Sequence, residues 1–172
     1  VLRGGAVGDF VLTLPALAAL RARWPAARLE LVAHPRVAGL ARMGGGVDGV
    51  TSIEAAAIAR LFSDRPALSN DQAAHIRSFD VIVSYLYDPD GVVVRHLQMA
   101  GARRVIGVDP RPTNRHAVDH LLAPLAALGI EPAGGEAPRL LLDRESIRRG
   151  RLRLSAWGDR VAVLHPGSGS AA

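Results

Sequence analysis

The sequence predicts an α/β fold, in which a mostly parallel, doubly wound sheet carries helices on both faces. Short apolar strands alternate with helical patterns along most of the chain, and this alternation is typical of such sheets. The runs at 81–83 and 161–164 are apolar throughout, as expected of strands that are buried on both faces. A glycine-rich turn directly follows the first strand and also the last, which predicts ligand binding at the carboxyl edge of a sheet.

The chain opens on the end of a strand at 1–2, followed by a turn with three glycines at 3–8. A helix pattern comes next, and its apolar face carries Phe10, Leu14, Leu17 and Leu20. Proline suits only the first turn of a helix, so Pro15 leaves two possible starts. Either Thr13 caps a regular helix, or the helix begins at Asp9 and is distorted.

The alternation continues through the rest of the chain. Further strands are predicted at 28–34, 47–53, 81–86 and 104–108. Helices are predicted at 35–43, 55–62, 69–77, 92–100, 117–128 and 143–154. The segment 130–138 is rich in glycine and proline and predicts a linker. A strand at 160–165 and a second glycine turn then repeat the opening pattern, so we expect one complete domain, 1–155, and the start of a second, 156–172.

The composition limits the chemistry. The chain has 172 residues, of which 49% are hydrophobic, and it has no cysteine, so a sizeable core is possible and a thiolate metal site is not. Every one of its 21 basic residues is Arg, which excludes a P-loop lysine and a Schiff base.

The net charge of +5 reflects either a bias in composition or an anionic partner, because Arg binds phosphate and carboxylate well. No basic run interleaved with aromatics predicts nucleic-acid binding, and no apolar stretch reaches the roughly 20 residues of a membrane span.

The first glycine turn favours an anion, because the start of a helix presents free N–H groups. The dinucleotide-binding fingerprint nevertheless fails. When Gly5 and Gly8 are aligned with its second and third glycines, Arg3 stands in the place of the first. The acidic residue that should follow the second strand is also missing, since Ala33 and His34 stand there. NAD binding is therefore disfavoured.

Asp9 directly follows the first glycine turn, and it is the residue there that is best suited to a catalytic role. One interpretation is a helix cap, a common use of Asp. The other is a general base at the mouth of the sheet, where open α/β sheets bind ligands. An ionised carboxylate there, favoured by the helix dipole, can take the proton of a hydroxyl as its oxygen attacks.

Three other groups of polar residues each allow a structural and a functional interpretation. Asp88 and Asp90 flank Pro89, which indicates either an ordinary turn or a divalent metal on a diphosphate. His116 and His120 have helical metal-ligand spacing, but no further ligand completes a site. Three arginines follow strands, where loops would face the cleft, namely Arg95, Arg111 and Arg115. They indicate either solvated surface or binding of the phosphate or carboxylate groups of an acceptor.

Together these segments resemble the ADP-heptose:lipopolysaccharide heptosyltransferases, glycosyltransferase family nine. The segments that carry the resemblance are 3–9, 11–13, Pro15, 24–34, 90–95, 100–107, 116–129 and 165–170. The resemblance implies the Rossmann-like first half of a GT-B enzyme, whose first domain receives the acceptor and whose second binds the nucleotide sugar. It implies inverting transfer without a metal or other cofactor, with Asp9 as the base.

The resemblance also implies partners and contacts. The donor would be ADP-heptose and the acceptor an anionic lipopolysaccharide core, in the cytoplasm or peripherally at the inner face of its membrane. The expected acceptor contacts are Gly4, Gly5, Gly8, Thr13, Arg95 and Arg115. The expected donor contacts are Gly167, Ser168, Gly169 and Ser170. The chain alone is not expected to catalyse transfer. The alternatives are a metal-dependent sugar transferase that uses Asp88 and Asp90, and a non-catalytic nucleotide- or acceptor-binding module.

Overall fold

The computed structural model describes residues 1–44, 46–63, 67–131, 134–140, 142–158, 160–162 and 164. The chain forms two compact units, Val1–Leu141 and Leu142–Ala172. The first contains the sheet, and the second contains one helix. The predicted division at residue 155 stays a prediction.

The first unit is built on a five-stranded sheet, in which all neighbouring strands are parallel. The strands are β1 (Leu2–Arg3), β2 (Glu30–Ala33), β3 (Gly49–Ser52), β4 (Ile82–Tyr85) and β5 (Val105–Gly107). Their order in space is β3-β2-β1-β4-β5. The chain therefore winds outward in one direction from β1 and in the other from β4, and the predicted doubly wound parallel sheet is confirmed.

Helices pack on both faces of this sheet. They are α1 (Val7–Arg23), α2 (Ala38–Gly44), α3 (Ala56–Ala59), α4 (Asn70–Arg77), α5 (Val92–Met99) and α6 (Ala117–Leu122). Three short 3₁₀ helices complete the unit, at Pro35–Val37, Arg60–Phe62 and Ala123–Leu128.

The alternation of side chains along β4 divides the core between the two faces. Val83 and Tyr85 pack with residues of α1 and α6. Ile82 and Leu86 belong to a second cluster, with residues of α5 such as Leu97. Ser84 lies between them in the strand, so its side chain is on the α5 face.

Two predicted helices differ from the observed ones for reasons of backbone chemistry. Helix α1 begins at Val7, before either predicted start, and Pro15 lies within it. The predicted helix at 117–128 changes from α to 3₁₀ geometry after Leu122, next to Pro124, which has no N–H to donate. It ends at Gly129, whose φ of 69° suits glycine.

The second unit contains α7 (Arg144–Ser155). The helix is capped by Asp143, whose carboxylate accepts a hydrogen bond of 2.6 Å from the backbone N–H of Ser146. Residues 160–162 and 164 form no strand in the described part of the chain. The rest of the predicted strand and the second glycine turn lie outside the described residues.

Candidate active site

The first glycine turn lies where the strand order reverses. Strand β1 ends at Arg3, and α1 begins four residues later at Val7. On one side β1 pairs with β2, and on the other with β4. The loops after β1 and β4 consequently diverge and leave a crevice at the carboxyl edge, the usual ligand site of open α/β sheets.

Asp9 is the third residue of α1 and therefore lies near this edge of the sheet. Its Oδ2 accepts a hydrogen bond of 2.9 Å from the backbone N–H of Ala6, the residue before the helix. Its Oδ1 lies 3.3 Å from Nη2 of Arg3. The side chain remains 47% exposed. Asp9 thus caps the helix from its third position and still presents its carboxylate to solvent.

Arg3 is buried beneath Asp9, with 4% of its side chain exposed. Its Nε donates to the backbone oxygen of Asp9 at 3.2 Å, and its Nη1 donates to the backbone oxygen of Tyr85 at 3.3 Å. Burial lowers the pKa of Arg3, and the neighbouring Asp9 charge opposes that shift. Arg3 therefore ties together the ends of β1 and β4 and the start of α1.

In the sequence, Arg3 is conspicuous because it stands where the dinucleotide fingerprint has its first glycine. A large cation in the place of a turn glycine was the available signal, because such a side chain must fold back onto nearby acceptors or reach solvent. What the sequence lacked was the position of the β4 carbonyl that receives it.

The three glycines of the turn have different surroundings. Gly5 has a φ of 91°, and a Cβ on it would lie 2.5 Å from Oδ2 of Asp9. A Cβ on Gly4 would make only ordinary contacts, the nearest at 3.4 Å to Leu86. A Cβ on Gly8 would meet nothing within 4 Å. Gly5 therefore makes room for the Asp9 carboxylate, whereas Gly8 leaves open space on the helix surface.

Thr13 is fully buried, and its hydroxyl donates to the backbone oxygen of Asp9 at 2.9 Å. This contact gives Thr13 a packing role inside α1. The acceptor contact predicted for it stays a prediction.

The two arginines predicted to contact the acceptor follow β4 and β5, one at the start of a helix and the other in a loop. Arg95 is exposed in the first turn of α5, and its Nη1 is 3.4 Å from the backbone oxygen of Asp90. Arg115 is exposed in the loop that precedes α6. Within the described residues, no hydrogen bond or ion pair joins either of them to Asp9. Both stay predicted acceptor contacts at the same edge of the sheet.

Arg111 belongs to a separate cluster. It pairs with Asp109 through two contacts, of 3.0 and 2.7 Å, and lies 3.9 Å above the ring of the exposed Tyr87. Hydrogen bonds from Arg111 lower the pKa of Asp109 to about 2.

The Asp-Pro-Asp segment forms a turn. The backbone N–H of Gly91 donates to the backbone oxygen of Asp88 at 3.1 Å, and Gly91 has a φ of 64°. Oδ2 of Asp88 accepts from the backbone N–H of Val94 at 3.0 Å. The predicted turn is therefore present, and the metal-binding alternative stays a prediction. Among the described residues, no three His, Cys, Asp or Glu side chains come together as a metal site.

The two histidines at helical spacing contact backbone atoms. Nδ1 of His116 accepts from the backbone N–H of Val118 at 3.3 Å, and Nε2 of His120 lies 2.6 Å from the backbone oxygen of Asp109. His116 therefore caps α6.

The predicted donor contacts at 167–170 lie outside the described residues. Within the described part of the chain, no helix has the length and apolar character needed to cross a bilayer.

The fold is similar to the crystal structure of the glycosyl transferase family 9 from Veillonella parvula DSM 2008. The TM-score is 0.63 and the sequence identity is 16%, over 92% of this chain and 49% of that one. The likeness shows a shared fold, and this chain spans about half the length of that neighbour. No family model and no curated protein matches the chain.

Proposed function

We propose that this chain is the acceptor-side domain of an inverting glycosyltransferase of the family-nine type. The observation that carries the proposal is the Asp9 carboxylate, half-exposed at the crevice where the strand order reverses and fixed by Arg3 and by the N–H of Ala6. The resemblance of the sequence and the shared fold support it. On this proposal residues 1–155 receive the acceptor and 156–172 begin the nucleotide-sugar domain.

The chemistry is one in-line displacement. A hydroxyl of the acceptor attacks the anomeric carbon of a nucleotide-activated sugar, and the bond from that carbon to the diphosphate oxygen breaks. Asp9 accepts the hydroxyl proton, so the new glycosidic oxygen is neutral and the nucleoside diphosphate departs with the bonding electrons. Attack opposite to the leaving group inverts the anomeric centre, and no metal or other cofactor is required.

Asp9 has the features that a base needs. It must lie within hydrogen-bond reach of the hydroxyl, and 47% exposure leaves room for that contact. Arg3 acts as a positioning residue, because its buried guanidinium holds both the carboxylate and the backbone of Asp9. We expect neither contact to require movement when the acceptor binds.

The remaining assignments follow the resemblance. The donor is ADP-heptose, and the acceptor is a lipopolysaccharide core or a similar anionic glycan. Acceptor contacts come from the glycine turn, Arg95 and Arg115, and donor contacts come from the second turn, Gly167, Ser168, Gly169 and Ser170. The protein works in the cytoplasm, peripherally at the inner face of the membrane.

The test is transfer by the complete natural protein that carries this chain, with ADP-heptose and core oligosaccharide. Asp9→Asn keeps an oxygen for the N–H of Ala6 but cannot take a proton, so we expect kcat to fall roughly 10²–10⁴-fold with little change in acceptor affinity. Asp71→Asn is the matched control, because Asp71 is also an acidic residue in the first turn of a helix. Near-normal turnover by Asp9→Asn would refute the base role.

Two further readouts separate the alternatives. Loss of turnover on treatment with a chelator favours a metal-dependent transferase that uses Asp88 and Asp90. Ligand binding without turnover by the complete protein favours a non-catalytic module.

A further inference from the structure

Ser84 has a buried hydroxyl that makes no hydrogen bond to the described residues. It lies in β4 with 1% exposure, on the face that also carries Ile82 and Leu86. Within the described residues, its Oγ is the one buried side-chain nitrogen or oxygen that makes no hydrogen bond. Buried polar atoms are nearly always paired, and leaving one unpaired is unfavourable. Ser84 therefore has an unused hydrogen-bonding group at this position.

A cavity of about 270 Å³ has Ser84 among its lining residues. It lies at the carboxyl ends of β4 and β5, beside the first turn of α5, and is lined by Ser84, Leu86, Asp88, Pro89, Gly91, Val94, Gly107, Val108 and Asp109. The volume is far larger than the roughly 30 Å³ share of one water molecule. Exposed lining residues such as Pro89 show that the cavity opens to solvent.

Two small residues lie side by side on the strands that border this cavity. Ser84 and Gly107 are partners in the pairing of β4 with β5. A Cβ on Gly107 would lie 2.6 Å from Cγ2 of Val94, so glycine is the residue that lets α5 pack here.

The polar lining suits a ligand that donates hydrogen bonds and has no negative charge. Two carboxylates line the cavity, those of Asp88 and Asp109. Arg111 offsets the charge of Asp109, whereas Asp88 contacts only a backbone N–H, that of Val94, among the hydrogen bonds described for it. The lining is therefore net negative, which disfavours phosphate, and it offers a single uncompensated carboxylate, which is a poor site for a divalent cation.

We propose that this cavity binds a neutral polyhydroxy group, in which one ligand hydroxyl pairs with Ser84 and others donate to Asp88 and Asp109. A hydroxyl both donates and accepts, so Ser84 is matched to a sugar hydroxyl. The identification of that group as an uncharged sugar ring of the glycan acceptor rests on the proposed function; the binding site itself does not. Arg95 and Arg115 would then hold the anionic groups of the same acceptor.

The experiment is an NMR titration of the ¹⁵N-labelled chain with D-mannose as the polyol probe, and separately with inorganic phosphate and magnesium chloride. We expect saturable shifts of the Ser84, Gly107 and Val108 amides with mannose alone. Ser84→Ala should weaken mannose binding roughly fivefold, the effect of one lost hydrogen bond. Ser78→Ala is the matched control, because its hydroxyl contacts the backbone oxygen of His75, outside the cavity.

The thermal midpoint of Ser84→Ala should equal or exceed that of the wild type, because the variant loses an unpaired buried hydroxyl. Asp109→Asn, an exposed and nearly isosteric change, provides a second variant in which mannose affinity should also fall. Absence of saturable shifts with mannose, stronger binding of phosphate or magnesium at these amides, or unchanged affinity in both variants overturns the proposal. None of these results depends on sugar transfer, so a failure here is distinct from a failure of Asp9 as the base.

Discussion

Replacement of Gly5 by alanine tests whether the turn is built around the Asp9 carboxylate. Gly5 has a φ of 91°, and the added Cβ would lie 2.5 Å from Oδ2 and 2.8 Å from Cγ of Asp9. The positive φ costs an L-residue roughly 1–2 kcal/mol. Displacement of the carboxylate weakens its hydrogen bonds to Ala6 and Arg3. We expect this to cost about another 1 kcal/mol of unfolding free energy, a small value because the carboxylate is half-exposed. The lower entropy of the unfolded alanine chain offsets about 0.4–1 kcal/mol.

The expected net loss for Gly5→Ala is therefore about 1–3 kcal/mol, measured as the free energy of unfolding in urea. Gly8→Ala is the control within the turn, because its Cβ meets nothing within 4 Å. Gly8→Ala should stabilise the protein by up to about 1 kcal/mol, because alanine favours the helix more than glycine does. Gly39→Ala should have a similar effect, because Gly39 lies in α2 and its Cβ would also meet nothing within 4 Å. A free energy for Gly5→Ala within about 0.5 kcal/mol of the wild type, the range of neutral surface changes, would refute the reasoning.

Two further predictions concern the β4–β5 half of the sheet. Tyr85→Phe removes a buried hydroxyl that donates to the backbone oxygen of Leu121 at 2.8 Å, and it should cost about 1–2 kcal/mol of unfolding free energy; an unchanged value would mean that this oxygen finds another donor. The pKa of Asp109 is lowered from its ordinary value of 3.8 to about 2, so its stabilising contribution is present above pH 3.8 and is lost as the pH falls through 2. A ¹³C titration of the Asp109 carboxyl should have its midpoint near the lower value and move up in Arg111→Gln, whereas a wild-type midpoint near 3.8 would contradict the pairing.

The sequence predicted the sheet well because parallel strands buried on both faces need continuous apolar runs. It did not predict where α1 begins, because local rules disfavour proline inside a helix, whereas Pro15 lies buried within α1. It also could not find the roles of Arg3 and Ser84. Both depend on which strands are neighbours: the bond from Arg3 to Tyr85 spans 82 residues, and the cavity beside Ser84 depends on its pairing with Gly107.

The two interpretations of Asp9, helix cap and general base, do not compete in this geometry. An ionised carboxylate has about four lone-pair sites, and the hydrogen bonds from Ala6 and Arg3 use one on each oxygen. Capping fixes the orientation of the group, and the lone pairs that remain are those of a half-exposed side chain. A base that is held in this way loses little conformational entropy when a hydroxyl binds. The contacts that make Asp9 resemble an ordinary cap are thus the same ones that would orient its carboxylate toward a hydroxyl, if Asp9 is the base that we propose.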